Sequence, residues 1–243
     1  MSKNITPYKN SDLGKKEQVT QMFDAISGSY DQLNRVVSFR LDLIWRRKVL
    51  AIVAKNKPKL ILDIATGTGD LAILMTKIKN SKIIGLDLSP GMLQIGIDKI
   101  ARKKLSNQIE MMVGDSEMMP FADNHFDAIT VSFGIRNFEN LEKGLTEILR
   151  VLKPSGTFVI LETSNPTRFP FKQAYGLYTN FILPVIGKWF SNDGSAYQYL
   201  SESAQNFPFG EVLNNKLRKI GFIDVVSEPQ FFGAATIYSA SKK

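Results

Sequence analysis

A predicted strand, a glycine turn and a helix in succession carry the clearest chemical signal in this 243-residue sequence. Residues 60–70 read LILDIATGTGD, in which a short apolar run ends in Asp63 and leads to Gly67, Thr68 and Gly69. A short apolar run is typical of a strand buried in a parallel sheet. Because glycine lets the backbone turn sharply and approach a ligand, the pattern predicts a nucleotide-binding turn.

The charges beside this turn bear on which nucleotide it binds. Residues 67–72, GTGDLA, fit the dinucleotide fingerprint G-x-G-x-x-G/A, with Asp87 near the expected distance downstream. A pyrophosphate needs a helix N-terminus without negative charge, yet Asp70 begins the helix and Asp63 ends the strand. Two carboxylates favour a cation such as the sulfonium of S-adenosylmethionine. Asp70 by itself is also typical of a helix cap, which is the alternative role for it.

The next two predicted strands also end in acids. Residues 82–87 end in Asp87, which is placed to accept hydrogen bonds from the two hydroxyls of a ribose. The strand at 109–113 leads to Asp115 and Ser116, whose carboxylate and backbone N–H suit an adenine amino group and ring nitrogen. Taken alone, Gly-Asp-Ser is an ordinary turn sequence.

The fourth predicted strand, at 126–131, leads into a segment that should form the floor of the site. This segment, SFGIRN, contains Ser132, Arg136 and Asn137. Ligands of open α/β sheets bind outside the carboxyl ends of the strands, so we expect these side chains to face the ligand. Asn137 is also a reasonable N-cap for the helix that follows.

The alternation of strand and helix patterns predicts the fold. It runs from residue 60 to a fifth strand at 157–161, and a closing pair of strands follows at 222–226 and 236–239. We expect an α/β protein of the Rossmann-like type: a seven-stranded, mostly parallel sheet with helices on both faces.

Two regions lie outside that alternation. An N-terminal helical cover at 1–55 precedes the sheet domain at 56–243; its two helices are predicted to be separated by a break at 27–31 that holds Tyr30. In the break, Tyr30 either faces a cleft or packs on the surface. An insertion at about 163–206 forms either an apolar lid or a small core of its own. Its aromatic residues are Phe169, Phe171, Tyr175, Tyr178, Phe181, Trp189 and Phe190.

Composition excludes several classes of protein. The chain has no cysteine and one histidine, His125, which argues against disulfides, a thiolate or multi-histidine metal site and a Ser-His-Asp hydrolase. The net charge is +8, but no aromatic residues interleave with the densest basic run, 102–104, so nucleic acid is not favoured. No apolar stretch has signal-peptide or membrane-spanning length, and we expect a soluble cytoplasmic protein.

Six stretches together resemble a known family. Three are typical of class I S-adenosylmethionine-dependent methyltransferases, and three narrow the resemblance to the UbiE/MenG family, the C-methyltransferases of menaquinone and ubiquinone synthesis. The general stretches are 62–70, 119–127 and 150–156, and the specific ones are 22–31, 132–137 and 184–203. The resemblance covers the chain from about residue 17.

The resemblance implies a cofactor and an acceptor. Residues at the glycine turn and at the ends of the next strands match the family's S-adenosylmethionine contacts: Thr68, Asp87, Asp115, Ser116 and Ser132. Thr66 departs from it, since many relatives have glycine there. The family methylates a ring carbon of a polyprenylated quinol. This implies demethylmenaquinol as the substrate, with the benzoquinol precursor of ubiquinone or an unrelated apolar small molecule as the alternatives. It also implies peripheral contact with the inner face of the membrane, and a homo-oligomer or a quinone-synthesis complex as partners.

Methylation of a quinol carbon requires that a phenolic proton be lost and the phenolate stabilised. Arg136 is the predicted cation for the phenolate, with a structural pair between Arg136 and an acid such as Asp31 as the alternative. Asn137 would orient the other ring oxygen, and Tyr30 would close the cleft or relay the proton, with water as the final acceptor. An NAD-linked oxidoreductase, an RNA-modifying protein and an inactive scaffold are the competing functions.

Overall fold

A computed structural model describes residues 5–183 and 194–243, and within them the chain forms a seven-stranded sheet in the order β3-β2-β1-β4-β5-β7-β6. The first five strands run parallel, and β7 pairs antiparallel with β5 and β6. The predicted sheet is therefore confirmed. Its strands are β1 (Leu60–Ile64), β2 (Lys82–Asp87), β3 (Ile109–Val113), β4 (Phe126–Ser132), β5 (Leu152–Thr163), β6 (Phe222–Gln230) and β7 (Ala235–Lys242).

Helices cover both faces of this sheet. One hydrophobic cluster joins α2, α3 and α4 to the strands, and a second joins α5 and α8 to the opposite face. The helices are α1 (Lys15–Val37), α2 (Leu41–Ala54), α3 (Asp70–Met75), α4 (Pro90–Arg102), α5 (Leu141–Val151), α6 (Phe171–Leu177), α7 (Gly194–Asn206) and α8 (Glu211–Ile220). A π-helical turn, Tyr178–Ile182, extends α6.

The N-terminal helix differs from its prediction. Helix α1 is continuous from Lys15 to Val37, so the predicted break at 27–31 is wrong and Tyr30 lies within the helix. Glycine and serine in that segment cost at most about 1 kcal/mol each in helix propensity. Burial of apolar side chains such as Ile26 and Leu33 outweighs this cost. The chain instead turns at 38–40, where Phe39 and Arg40 have positive φ angles of 50° and 62°.

Helix caps are partly as predicted. Ser89 caps α4, its hydroxyl oxygen accepting a hydrogen bond from the Met92 N–H at 3.1 Å. The N-cap of α5 is Asn140, whose Oδ1 accepts from the Lys143 N–H at 3.0 Å, so Asn137 does not have that role.

The insertion after β5 contains α6, the π-helical turn and α7. Trp189 and Phe190 of the predicted aromatic set, and residues 184–193 of the resembling stretch 184–203, lie outside the described residues. In the described part of the chain, no helix has the length and apolar character needed to cross a membrane.

Candidate active site

Two adjoining cavities open at the carboxyl edge of the parallel strands. The smaller, of about 90 Å³, lies over the ends of β1 to β4 and beneath α1. The larger, of about 380 Å³, lies between α1, α2, α6 and the turn at Phe231–Gly233. Tyr30 and Phe133 line both cavities, so the two share a wall.

The glycine turn is held in place by the carboxylate that follows β2. Gly67 and Gly69 have positive φ angles of 57° and 77°, which favour glycine. Asp87 accepts hydrogen bonds from the backbone N–H of Gly67 at 2.7 Å and of Ser89 at 2.9 Å. Burial raises the pKa of Asp87, and these N–H groups oppose that rise. Each carboxylate oxygen keeps a lone pair for a further donor.

The charge assigned to Asp70 from the sequence is not available to a ligand. Asp70 contacts Arg46 at 3.1 Å, Lys99 at 2.5 Å and also Arg35. Burial alone would raise the pKa of Asp70, but Arg46 and Lys99 outweigh burial and lower it. The expectation that Asp70 makes the turn attractive to a cation is therefore wrong, because three basic side chains surround it.

Asp63, at the end region of β1, stabilises the glycine turn through a hydrogen bond with Thr66. It is buried, with Thr66 and Thr130 hydroxyls donating to its two oxygens at 2.6 and 2.7 Å. Burial raises the pKa of Asp63 to about 6 despite these hydrogen bonds. Thr66, the departure from the family pattern, is thus a hydrogen-bonding partner of the strand-end carboxylate.

Side chains of α1 reach across the smaller cavity to two of the predicted cofactor residues. Lys16 forms an ion pair with Asp115 at 2.7 Å, and the Thr68 hydroxyl donates to Asp31 at 2.6 Å. These contacts explain why the cavity is smaller than the roughly 300 Å³ at which small-molecule sites begin. Ser132 has a buried hydroxyl oxygen with no partner within the described residues.

Arg136 is paired with an acid that the sequence reasoning missed. Its Nη1 donates to Oε1 of Glu162 at 2.6 Å and to the Phe133 carbonyl oxygen at 2.7 Å. The alternative of a structural pair between Arg136 and an acid is thus confirmed, but the acid suggested for it is wrong, since Asp31 is paired with Lys99 at 2.8 Å. Nε of Arg136 is buried and has no partner in the described part of the chain.

The other two predicted catalytic side chains lie beside Arg136. Asn137 lines the smaller cavity, and its Oδ1 accepts a hydrogen bond from the Tyr199 hydroxyl at 3.1 Å. Tyr30 packs edge-on against Phe23 on the wall shared by both cavities. Burial raises the pKa of Tyr30, although the nearby Arg136 opposes this. A neutral Tyr30 donates a hydrogen bond rather than accepting a proton.

The larger cavity has predominantly apolar walls. Phe171, Tyr175 and Tyr178 of the insertion line it, whereas Phe169 and Phe181 are exposed. Tyr178 donates to the Val37 carbonyl oxygen at 2.6 Å and so joins the insertion to the end of α1.

Several residues of this arrangement were not predicted, among them Lys16, Glu162 and Thr163. Glu162 and Thr163 end β5, so the rule that ligands bind at the carboxyl ends of parallel strands could have found them. Lys16 lies on α1 far from any strand end, and no pattern in the sequence indicates its contact with Asp115.

Comparison with solved structures shows the fold. The chain is similar to an S-adenosylmethionine-dependent methyltransferase from Thermotoga maritima, described as a possible histamine N-methyltransferase, at a TM-score of 0.64, with 20% identity and coverage of 92% and 99% of the two chains. It is also similar to the [4+2]-cyclase SpnF at a TM-score of 0.65, with 18% identity and coverage of 93% and 96%. At such identities the likeness shows the fold alone, since one fold hosts different chemistries.

Sequence comparison is more specific. The profile of the ubiE/COQ5 methyltransferase family matches residues 11–242. Demethylmenaquinone methyltransferase from Bacteroides fragilis is 47% identical over 98% of this chain and 97% of its own length. The enzyme of the same name from Porphyromonas gingivalis is 41% identical over 98% of both chains. The ubiquinone/menaquinone biosynthesis C-methyltransferase UbiE of Geobacter sulfurreducens is 41% identical over 99% and 93%.

Proposed function

The chain belongs to the ubiE/COQ5 methyltransferase family, and on that premise we propose that it methylates a ring carbon of demethylmenaquinol in menaquinone biosynthesis. The observation that carries the proposal is the shared wall between a polar cavity at the strand ends and an apolar cavity that contains a buried arginine. A methyl donor and an apolar acceptor need two such adjoining sites.

The residues of the smaller cavity fit S-adenosylmethionine, which supplies a methyl group on a sulfonium when bound. Asp87 would accept from the ribose hydroxyls, and Asp115 with the Ser116 N–H would bind the adenine. Gly67, Thr68 and Gly69 would follow the methionyl part. The buried Ser132 hydroxyl without a partner within the described residues supports a ligand at this place. Lys16 would have to leave Asp115 as the adenine enters.

Arg136 and its neighbours would hold the acceptor ring. Arg136 lines the larger cavity and stays charged, so it would stabilise the phenolate oxygen. The amide of Asn137, oriented by Tyr199, would hold the other ring oxygen. Tyr30, on the shared wall, would exclude water from the reacting atoms and donate a hydrogen bond.

The mouth of the larger cavity supports contact with a membrane. Phe39, Phe231 and Phe232 line the cavity and are 57–70% exposed. The segments 36–41, 163–183 and 229–235 contain no acidic residue, while three exposed basic residues lie in the first two: Arg40, Arg168 and Lys172. Exposed aromatic and basic side chains together favour an anionic lipid surface. We propose that the prenyl tail of the quinol enters here from the lipid.

Turnover tests the function directly. Purified protein would be incubated with methyl-labelled S-adenosylmethionine and reduced demethylmenaquinone in lipid, and the extract analysed by mass spectrometry. The expected result is label in menaquinol, with one CH₂ unit of added mass. A parallel arm offers the benzoquinol precursor of ubiquinone. Label in neither quinol, at normal cofactor binding, would refute the proposed function.

Vesicle binding tests the membrane contact. Phe39→Ser combined with Phe231→Ser should weaken cosedimentation with vesicles rich in anionic lipid. Val212→Ser, an equally exposed apolar residue on α8, serves as the matched control and should leave binding unchanged. Equal binding by all variants would contradict the proposed surface.

A further inference from the structure

Glu162, at the end of β5, is a buried carboxylate of which only one oxygen has hydrogen-bonding partners within the described residues. Glu162 has no exposed surface, and its Oε1 accepts three hydrogen bonds, from Arg136 Nη1 at 2.6 Å and from the Thr163 N–H and hydroxyl at 2.7 and 3.0 Å. Its Oε2 is buried with no partner in the described part of the chain. A buried charged oxygen without a hydrogen bond is costly, so its presence calls for a reason.

The groups bound to Glu162 lead to the larger cavity. Arg136 and Thr163 both line that cavity, whereas Glu162 lies behind them. The Thr163 hydroxyl can accept a hydrogen bond from a ligand on its cavity side while donating to Glu162 on the other. Glu162 is thereby connected to a ligand through one hydroxyl group and one guanidinium group.

The other ionisable groups around this cavity are poor proton acceptors. Burial raises the pKa of Tyr30 and Tyr175, and those of Tyr178 and Tyr199 to about 12, so the four phenols stay protonated. Asp42 also lines the cavity, but Ser38 and Arg46 occupy its two oxygens at 2.8 and 2.9 Å. Tyr238 on β7 lies near Glu162, and burial raises the pKa of Tyr238.

We propose that Glu162 accepts the proton of the quinol hydroxyl through Thr163. Glu162 also positions Arg136, which stabilises the phenolate. This inference rests on the proposed function and deepens it. From the sequence alone, water was the expected acceptor of this proton. The structure assigns that role to a carboxylate at the end of β5.

The proton of the quinol would reach Glu162 through Thr163. The quinol O–H bond breaks, its proton passes to Thr163 Oγ1, and the hydroxyl proton of Thr163 passes to Glu162. The electron pair stays on the quinol oxygen as a phenolate beside Arg136. The ring carbon would then bond to the methyl group of S-adenosylmethionine as the methyl–sulfur bond breaks, which leaves that bond's electron pair on a neutral thioether. The ring carbon releases its hydrogen as a proton to water, and Glu162 returns a proton to the oxygen through Thr163, so one proton is released per turnover.

The ion pair gives this transfer an electrostatic advantage. Before transfer, the charge of Arg136 is balanced by Glu162. As Glu162 becomes protonated, the negative charge appears on the quinol oxygen, and the same guanidinium balances it there. The negative charge thus moves from Glu162 to the quinol oxygen while the guanidinium of Arg136 is already oriented towards both. Such prior orientation is the condition for efficient electrostatic stabilisation.

The pH profile of Glu162→Gln tests the proposal. At pH 7 its kcat on demethylmenaquinol should fall by about 100- to 10,000-fold, the usual contribution of a positioned base. The deficit should shrink as the pH rises, because the quinol then ionises in solution and needs no acceptor. Calorimetry should show unchanged S-adenosylmethionine affinity. Glu110→Gln, at an exposed position on β3, is the control.

Thr163→Val provides a second test if the glutamine variant fails to fold. It removes the hydroxyl and keeps the shape, and it should show the same pH-dependent deficit. Thr157→Val, on the same strand and also with one side-chain hydrogen bond, should retain the wild-type rate.

The outcomes separate the two proposals. A wild-type protein that methylates demethylmenaquinol, with variants that keep its rate or lose the same factor at every pH, would overturn the role of Glu162 alone. A wild-type protein that binds the cofactor but methylates no quinol would overturn the proposed function, and the role of Glu162 with it.

Discussion

The two cavities differ in how their walls are built. The polar side chains of the smaller one lie at the carboxyl ends of successive strands, as with Asp87, the last residue of β2, and Asp115, shortly after β3. The larger one is assembled from α1, α2, the insertion and the turn at Phe231–Gly233, which are far apart in the chain. The smaller cavity is therefore determined by the topology of the sheet, and the larger by packing of peripheral segments.

The charged residues of the two cavities also differ in which parts of the chain supply their partners. In the smaller cavity Asp63 and Asp87 accept hydrogen bonds from nearby parts of the sheet edge. In the larger one, the central ion pair joins Arg136, in the segment after β4, to Glu162 at the end of β5. Under the proposed function, the smaller site would bind a cofactor common to this fold, and the larger one would bind a particular acceptor. Four variants can break or sharpen that division.

The largest effect is expected at Arg136. Arg136→Lys keeps a charge but loses the planar fork, and kcat should fall by about 100- to 1,000-fold. S-adenosylmethionine affinity should stay within about twofold, as calorimetry can measure. Arg218→Lys, an exposed arginine on α8, is the control. A loss of cofactor affinity equal to the loss of kcat would mean that the two cavities are not functionally separate.

Asp63 should give the smaller cavity a distinctive pH dependence. With its pKa raised to about 6, the folded protein holds this proton at a pH where the unfolded chain has lost it. Between about pH 4 and 6, the contribution of Asp63 to the free energy of unfolding therefore falls as the pH rises. Asp63→Asn lacks this loss, and relative to wild type it should gain about 2.4 kcal/mol between pH 4 and pH 7.

Urea unfolding of both proteins across this pH range measures the difference. Asp98→Asn, the same substitution on an exposed part of α4, is the control for the general effect of losing a carboxylate. If Asp63→Asn gave the same pH dependence as wild type, Asp63 would ionise normally and the smaller cavity would not impose this cost.

Asp87→Asn should act on the cofactor alone. One neutral amide in place of the carboxylate weakens the hydrogen bonds to the ribose, and affinity for S-adenosylmethionine should fall by about 2 kcal/mol, or about 30-fold. The KM for the quinol should not change. Normal affinity in calorimetry would remove Asp87 from the cofactor site, and a raised quinol KM would connect the cavities.

The smallest effect is expected at Lys16. Because Lys16 occupies the carboxylate of Asp115, Lys16→Ala should tighten S-adenosylmethionine binding by a few-fold, in keeping with the roughly 0.2–1 kcal/mol of a partly exposed ion pair. Lys9→Ala, at a basic residue that precedes α1, controls for the general loss of positive charge. Weaker binding by Lys16→Ala would mean that Lys16 holds the cofactor instead of competing with it.

Much of the fold could be predicted because it depends on local patterns. Short apolar runs at 60–62 and 82–86 identified buried strands, and Ser89 identified the start of α4. The predicted helix break at 27–31 failed because propensity is a weak local preference that tertiary burial overrides.

The candidate site likewise contains residues that local patterns predict and contacts that they do not. Position after a strand was enough to bring Asp87, Asp115 and Ser132 to the smaller cavity. The charge of Asp70 could not be judged from its neighbours in sequence, because Arg35, Arg46 and Lys99 reach it from α1, α2 and α4. Counting nearby charges along the chain gave the right cofactor for a reason that the structure does not support.

The sequence by itself determined the sheet, the glycine turn and the acids at the strand ends, because parallel strands bring their carboxyl ends to one edge whatever surrounds them. Only the tertiary structure decided that Arg136 pairs with Glu162 and that Lys16 covers Asp115. Such contacts depend on how separate helices and strands pack, and side-chain partners across that distance leave no periodic pattern in the chain.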